Sequence, residues 1–118
     1  MEIKTFRDLV AWQKAVQLAK TVYKQTSLMP DSERFGLTAQ IRRAAVSAPS
    51  NIAEGYGRES LMDYVRFLKM ARGSLMEMET QLLLAEDLGF LQISSELNER
   101  LSETGRVLQG LINSLKEK

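Results

Sequence analysis

Residues 42–60 read RRAAVSAPSNIAEGYGRES. Two arginines lead into a run of small residues, a proline sits near the middle, and the stretch closes on a tyrosine between glycines. Whether Pro49 ends a helix or rides inside one decides how many long helices the chain contains. An interior proline removes one backbone hydrogen bond and crowds the carbonyl four residues earlier, at a cost of about 3 kcal/mol. On that ground the helix breaks after Val46, and Ser47 caps a fresh turn opened by Pro49. Yet Leu37, Ile41, Ala44, Ala45, Ala48 and Ile52 keep one apolar face in phase straight through Pro49. That phase favours a kinked but continuous helix, with Ser32 as its N-cap. The carbonyl freed at Ala45 then needs water, Ser47, Ser50 or Asn51 as a partner. Gly55-Tyr56-Gly57 is the expected turn into the next helix. Ala44, Ala45, Ala48 and Ala53 let a neighbour approach closely, with Trp12 or Phe67 as the large side chain packed there. Alternatively, part of this small-residue surface is a subunit contact.

Three further helices follow from apolar spacing on either side. Leu9, Trp12, Val16, Ala19 and Tyr23 form a heptad seam, and a second stripe of Ala11, Ala15, Leu18 and Val22 widens it. Thr5 with Asp8 resembles a capping box, which starts this helix near Phe6. Pro30 disfavours helical geometry at Met29, so the helix ends near Ser27. Ser60 opens a third helix, with Asp63 at the capping-box position and a seam of Tyr64, Leu68, Ala71, Leu75, Met78, Leu82 and Ala85. Gly89 is the natural residue just past its end. The fourth helix starts around Ser94 and carries Leu97, Leu101, Thr104, Leu108, Leu111 and Leu115. Long helices with short connections predict an all-α, up-down-up-down antiparallel four-helix bundle, kinked at Pro49 in helix 2. Residues 1–118 form a single domain.

Composition limits the chemistry. The 118 residues include no Cys and no His. Thiolate zinc sites, disulfides and any triad that needs Cys or His are therefore excluded. A di-metal carboxylate bundle wants paired Glu-x-x-His motifs, which a chain without His cannot supply. No catalytic residue, metal or cofactor is expected, and an enzyme working with carboxylates alone is a distant third reading. No signal-peptide apolar core and no run of the ~20 apolar residues needed to span a bilayer is present, so a cytoplasmic protein without membrane contact is expected. Residues 1–72 carry twelve Lys/Arg against seven Asp/Glu, a net of +5, and residues 73–118 carry four against eight, a net of −4. Such a split means basic and acidic faces, or neighbouring helices that attract one another.

The candidate contacts for RNA, DNA or another anion are Arg42, Arg43, Arg58, Arg66, Lys69 and Arg72. Arg42 and Arg43 diverge by about 100° on a helix, so both cannot face the core. Arg66, Lys69 and Arg72 form a drifting basic stripe. Ion pairs with Glu54, Glu59 and Asp63 are the competing explanation. The acids Glu77, Glu79, Glu86 and Asp87 suit a solvated or partner-facing surface. Trp12 and Tyr23 sit on an apolar seam and are expected in the core. Tyr56, beside Arg58, is the candidate exposed aromatic contact, together with Phe35. Met70, Met76 and Met78 are expected in the core or at an interface.

One resemblance covers nearly the whole chain, from about Phe6 to Leu115. FGLTAQIRRAAVSAPSNIAEGYGR, with FRDLVAWQKA before it and YVRFLKMARGSLMEMETQLLLAEDLGFL after it, resembles the four-helix-bundle family of 23S rRNA intervening-sequence proteins. The resemblance implies a homo-oligomer, a pentameric ring of bundles. It also implies kinship with accessory proteins of diversity-generating retroelements, which contact nucleic acid and partner a reverse transcriptase. Those accessory proteins are strongly basic, whereas this chain carries a net charge of +1. The expected role is a non-enzymatic, self-associating scaffold or accessory protein that binds RNA or DNA through a basic face. The alternative is a purely structural protein–protein interaction module.

Overall fold

The computed structural model describes residues 2–117. Four α-helices carry the fold: α1 (Val10–Thr26), α2 (Leu37–Tyr56), α3 (Leu61–Asp87) and α4 (Ser95–Lys116). α1 packs on α2 and α4, and α3 packs on the same two, so the helices surround one core in chain order. Two of the packed pairs, α1 with α4 and α2 with α3, meet in opposite order along the chain. Lys14 pairs with Glu103 while Gln25 reaches Gln92, and Ser47 meets Ser74 while Gly55 meets Phe67. Ile41, Ile52, Leu68, Met78, Leu97, Leu108 and Ile112 fill the fully buried centre.

Pro49 lies inside α2, which is one uninterrupted helix on both sides of it. The local polar side chains serve other carbonyls than that of Ala45. Ser50 Oγ donates to the Val46 carbonyl at 2.8 Å, and Asn51 Nδ2 donates to the Ser47 carbonyl at 3.0 Å. Pro49 itself is buried, together with Ala44, Ala45 and Ala48. Packing of this small-residue face offsets the missing hydrogen bond.

Several helix ends differ from expectation. The Thr5–Asp8 capping box forms, but it closes a single 3-10 turn at Phe6–Asp8. Its Asp8 carboxylate accepts from the N–H groups of Lys4 and Thr5, which holds its pKa below the ordinary value. Leu9 then takes an extended conformation, so α1 begins at Val10 and not near Phe6. Ser32 lies in a second 3-10 turn, Asp31–Glu33, and does not cap α2. The carboxylate of Glu33 accepts from the Leu37 N–H at 3.2 Å, and Gly36 is the residue before the first turn. Gly55-Tyr56 is the last part of α2, so the turn falls at Gly57–Ser60. A Cβ at Gly55 would stand 2.7 Å from the Phe67 Cβ, and this close approach of α3 keeps Gly55 helical and buried.

The other ends form as read. Ser60 accepts from the Asp63 N–H and Ser94 from the Leu97 N–H. Gly89, at φ +80°, ends α3 with its own N–H on Glu86 and that of Phe90 on Ala85, a Schellman arrangement. Gln25 ties the α3–α4 connection to α1, donating to the Gln92 carbonyl and accepting from the Ser94 N–H.

Candidate functional site

The structure disperses the basic set. Arg42 Nε donates to Thr26 Oγ1 at 2.9 Å and its Nη2 to the Tyr23 carbonyl at 3.2 Å, with the guanidinium 4.6 Å from the Tyr23 ring centroid. It thus adds a charged donor to a last-turn carbonyl of α1 that also accepts from the Ser27 N–H, where the helix dipole favours a cation. Arg72 donates to Gln109 at 2.8 Å and braces α3 to α4. Arg58 pairs with Glu54 at 2.8 Å and Arg66 with Asp63 at 3.4 Å. Both guanidinium groups lie over Phe67, 4.5 and 4.8 Å from its centroid. Arg43 and Lys69 are exposed and make no ion pair among the described residues. They line different depressions: Arg43 beside Phe35 on the α1–α2 side, Lys69 beside Leu61 and Leu115 on the α3–α4 side. The six do not share one surface, although Arg66 and Lys69 of the α3 stripe line the same depression.

The aromatic assignments also change. Tyr56 is half-buried and packs edge-to-face on Tyr64 at 6.1 Å, so it is no free stacking platform. Burial, with Tyr56 nearby, pushes the Tyr64 phenol up to about 12. Trp12 and Tyr23, expected in the core, are half-buried and 43% exposed. Of the two apolar stripes on α1, the small-residue one (Ala11, Ala15, Leu18, Val22) faces inward. Alanine there lets α1 settle close to its neighbours and leaves Trp12, Val16 and Tyr23 of the heptad seam at the edge of the core, with Leu9 buried. Phe35, 88% exposed with Arg34 over its ring, is as open as its position implied.

The heptad seam forms one wall of a trough whose other wall is α2. Two depressions of about 550 and 630 Å³ make it up, and they share Tyr23 and Val46. One half is apolar, lined by Trp12, Val16, Pro49 and Ala53. The other half carries Arg34, Arg42 and Arg43 around Phe35. The opposite side of the bundle is also apolar: Met62 is 82% exposed and Met76 61%, with Leu83 and Leu84 about half exposed along α3. Sequence reading missed this because both α1 stripes were assigned inward. Two stripes at heptad spacing exceed what one core face needs, and that excess was the available signal.

Among the described residues no group of three or more Asp or Glu gathers to hold a metal ion. Glu86 serves the backbone, accepting from the Ile93 N–H at 2.9 Å. No described helix is long and apolar enough to cross a membrane.

Comparison with known proteins bears on this architecture. The family model described as 23S rRNA-intervening sequence protein matches residues 7–110. No curated protein matches the chain. A crystal structure of a protein with unknown function from the S23 ribosomal protein family of Bacteroides thetaiotaomicron is similar in fold, with a TM-score of 0.75 at 24% identity. The match covers 87% of this chain and 98% of that one.

Proposed function

From the premise that this chain belongs to the 23S rRNA-intervening sequence protein family, we propose that it is a non-enzymatic scaffold that acts by self-association. One observation carries the reading. Three large apolar residues of the heptad seam, Trp12, Val16 and Tyr23, stand at the edge of the core and line an open trough on α1 and α2. An open apolar trough with charged residues beside it suits a protein contact. The family resemblance sets the expected copy number at five. Light scattering on a sizing column is the test: five times 13.4 kDa, about 67 kDa, is expected. A single species at the mass of one chain overturns the reading.

A second reading, binding of RNA or DNA, rests on Arg43 beside the exposed ring of Phe35. Cationic and aromatic groups side by side suit a single-stranded nucleic acid. The expected result is binding to a generic single strand at low salt that weakens as salt rises and is lost in Arg43→Glu. Failure to bind even at low salt leaves the protein-contact reading alone.

A further inference from the structure

We infer that the depression between the start of α3 and the end of α4 binds a free linear fatty acid of about ten to twelve carbons, with its chain on an apolar floor and its carboxylate between Lys69 and Lys116. This site uses neither the α1–α2 trough nor any contact between copies of the chain.

The depression opens because the two helices reach unequally far. Arg72 on α3 bonds to Gln109 on α4 at 2.8 Å, and Glu86 reaches Ile93 just before α4, so the two run in opposite directions. In that register Arg66 lies level with Leu115, and α4 ends one residue later at Lys116. α3 starts at Leu61, so its first turn extends past the end of α4. Leu61, Val65 and Leu115 line the hollow that results, about 660 Å³ in volume. Val65 and Leu115 rest on the core, while Met62, 82% exposed, and Met70 stand at the sides. Flexible thioether chains adapt to an apolar guest.

Charge decides the chemistry of that guest. Every charged residue lining the depression is a cation: Arg66, Lys69 and Lys116. Arg66 turns to Asp63 at 3.4 Å, whereas both lysines are exposed and make no ion pair among the described residues. By contrast, the Trp12 half of the trough carries Lys20 alone, and the groove beside Gly105 sets Glu79 against Arg72. An apolar hollow with two uncommitted ammonium groups calls for a guest that is aliphatic at one end and anionic at the other.

Size separates a small amphiphile from a partner helix. The volume falls within the range of about 300–1,000 Å³ found for small-molecule sites. From Leu61 to Met70 α3 extends about 13 Å, roughly the length of an extended ten-carbon chain. α4 supplies only Leu115 and Lys116, too short a wall to hold a docked helix.

Isothermal titration calorimetry of the full chain with sodium dodecanoate, kept below its micelle concentration, tests the site. Saturable binding at one site per chain is expected, weakening as salt rises. Octanoate should bind more weakly, by up to about fourfold for each methylene removed. Lys69→Glu with Lys116→Glu, both at exposed positions, should weaken dodecanoate about tenfold or more while circular dichroism stays unchanged. Absence of saturable binding overturns the inference. Equal binding of dodecyltrimethylammonium reveals apolar adsorption only, and dodecanoate binding untouched by the lysine changes places the site elsewhere; each overturns it as well. So do the other occupants. A lower light-scattering mass in the lysine variant assigns the depression to a second copy, and an acidic amphipathic helical peptide that binds where dodecanoate does not assigns it to a protein.

Discussion

At the residue scale, two glycines with one substitution separate packing from propensity. Gly55 sits where α2 and α3 come closest, and a methyl group there meets Phe67 Cβ at 2.7 Å and the Tyr64 carbonyl at 3.2 Å. Gly55→Ala is expected to cost about 1–3 kcal/mol, as overpacking does, read as a lower urea midpoint. Gly110 lies within α4 with nothing within 4 Å of a built Cβ. Gly110→Ala is expected to raise the midpoint, by about 0.5–1 kcal/mol, because a helix-interior glycine costs that much relative to alanine. Tyr64 gives a pH signature. Its phenol is pushed up to about 12 against an ordinary value of 10.0, so the folded state resists its ionisation. That contribution is complete below pH 10 and is lost as pH rises from 10 towards about 12. Urea midpoints at pH 9 and pH 11 should show the fall, and Tyr64→Phe should reduce it.

At the element scale, Arg42 belongs to the end of α1 as much as to α2, which supplies it. Its bonds to Thr26 Oγ1 and the Tyr23 carbonyl hold the two helices together. Arg42→Ala is expected to destabilise the fold by roughly 1.5–3 kcal/mol, the range for hydrogen bonds to charged groups. Arg42→Lys should recover little of it, because an ammonium lacks the guanidinium fork. Thermal melts of the two variants check this, and melts near wild type in both would remove the clamp from the account. What sequence shows of such elements depends on distance along the chain. The stops at Ser60, Gly89 and Ser94 use partners within a few residues, and spacing alone reveals them. The α3 seam from Leu68 to Ala85 is buried as its period requires. Leu9 and Gly36 set the true starts of α1 and α2 through backbone conformations that no periodicity announces. The role of Arg42 depends on a residue sixteen positions earlier, visible only after folding.

At the scale of the whole molecule, the choice of inward stripe on α1 governs the function. Sequence establishes that α1 has two apolar stripes, but which one faces the core depends on how closely α2 and α4 approach. Ala11 and Ala15 take the inward position, and Trp12, Val16 and Tyr23 are left at the edge of the core. The candidate site is therefore half legible: spacing names its residues, but not that Tyr23 is 43% exposed and Trp12 and Val16 only half-buried. The six basic residues were legible as charge and not as a surface, since four of them, Arg42, Arg58, Arg66 and Arg72, take Thr26, Glu54, Asp63 and Gln109 as partners. The α1–α2 trough is the surface proposed above for contact between copies of this chain. Val46 lines both halves of the trough and is 45% exposed, so Val46→Glu introduces a charge there without touching the core. The most direct measurement is the light-scattering mass of this variant beside wild type, with helicity followed by circular dichroism. An oligomeric wild type and a folded Val46→Glu monomer of about 13.4 kDa are expected. An unchanged oligomeric mass in Val46→Glu would contradict that proposal.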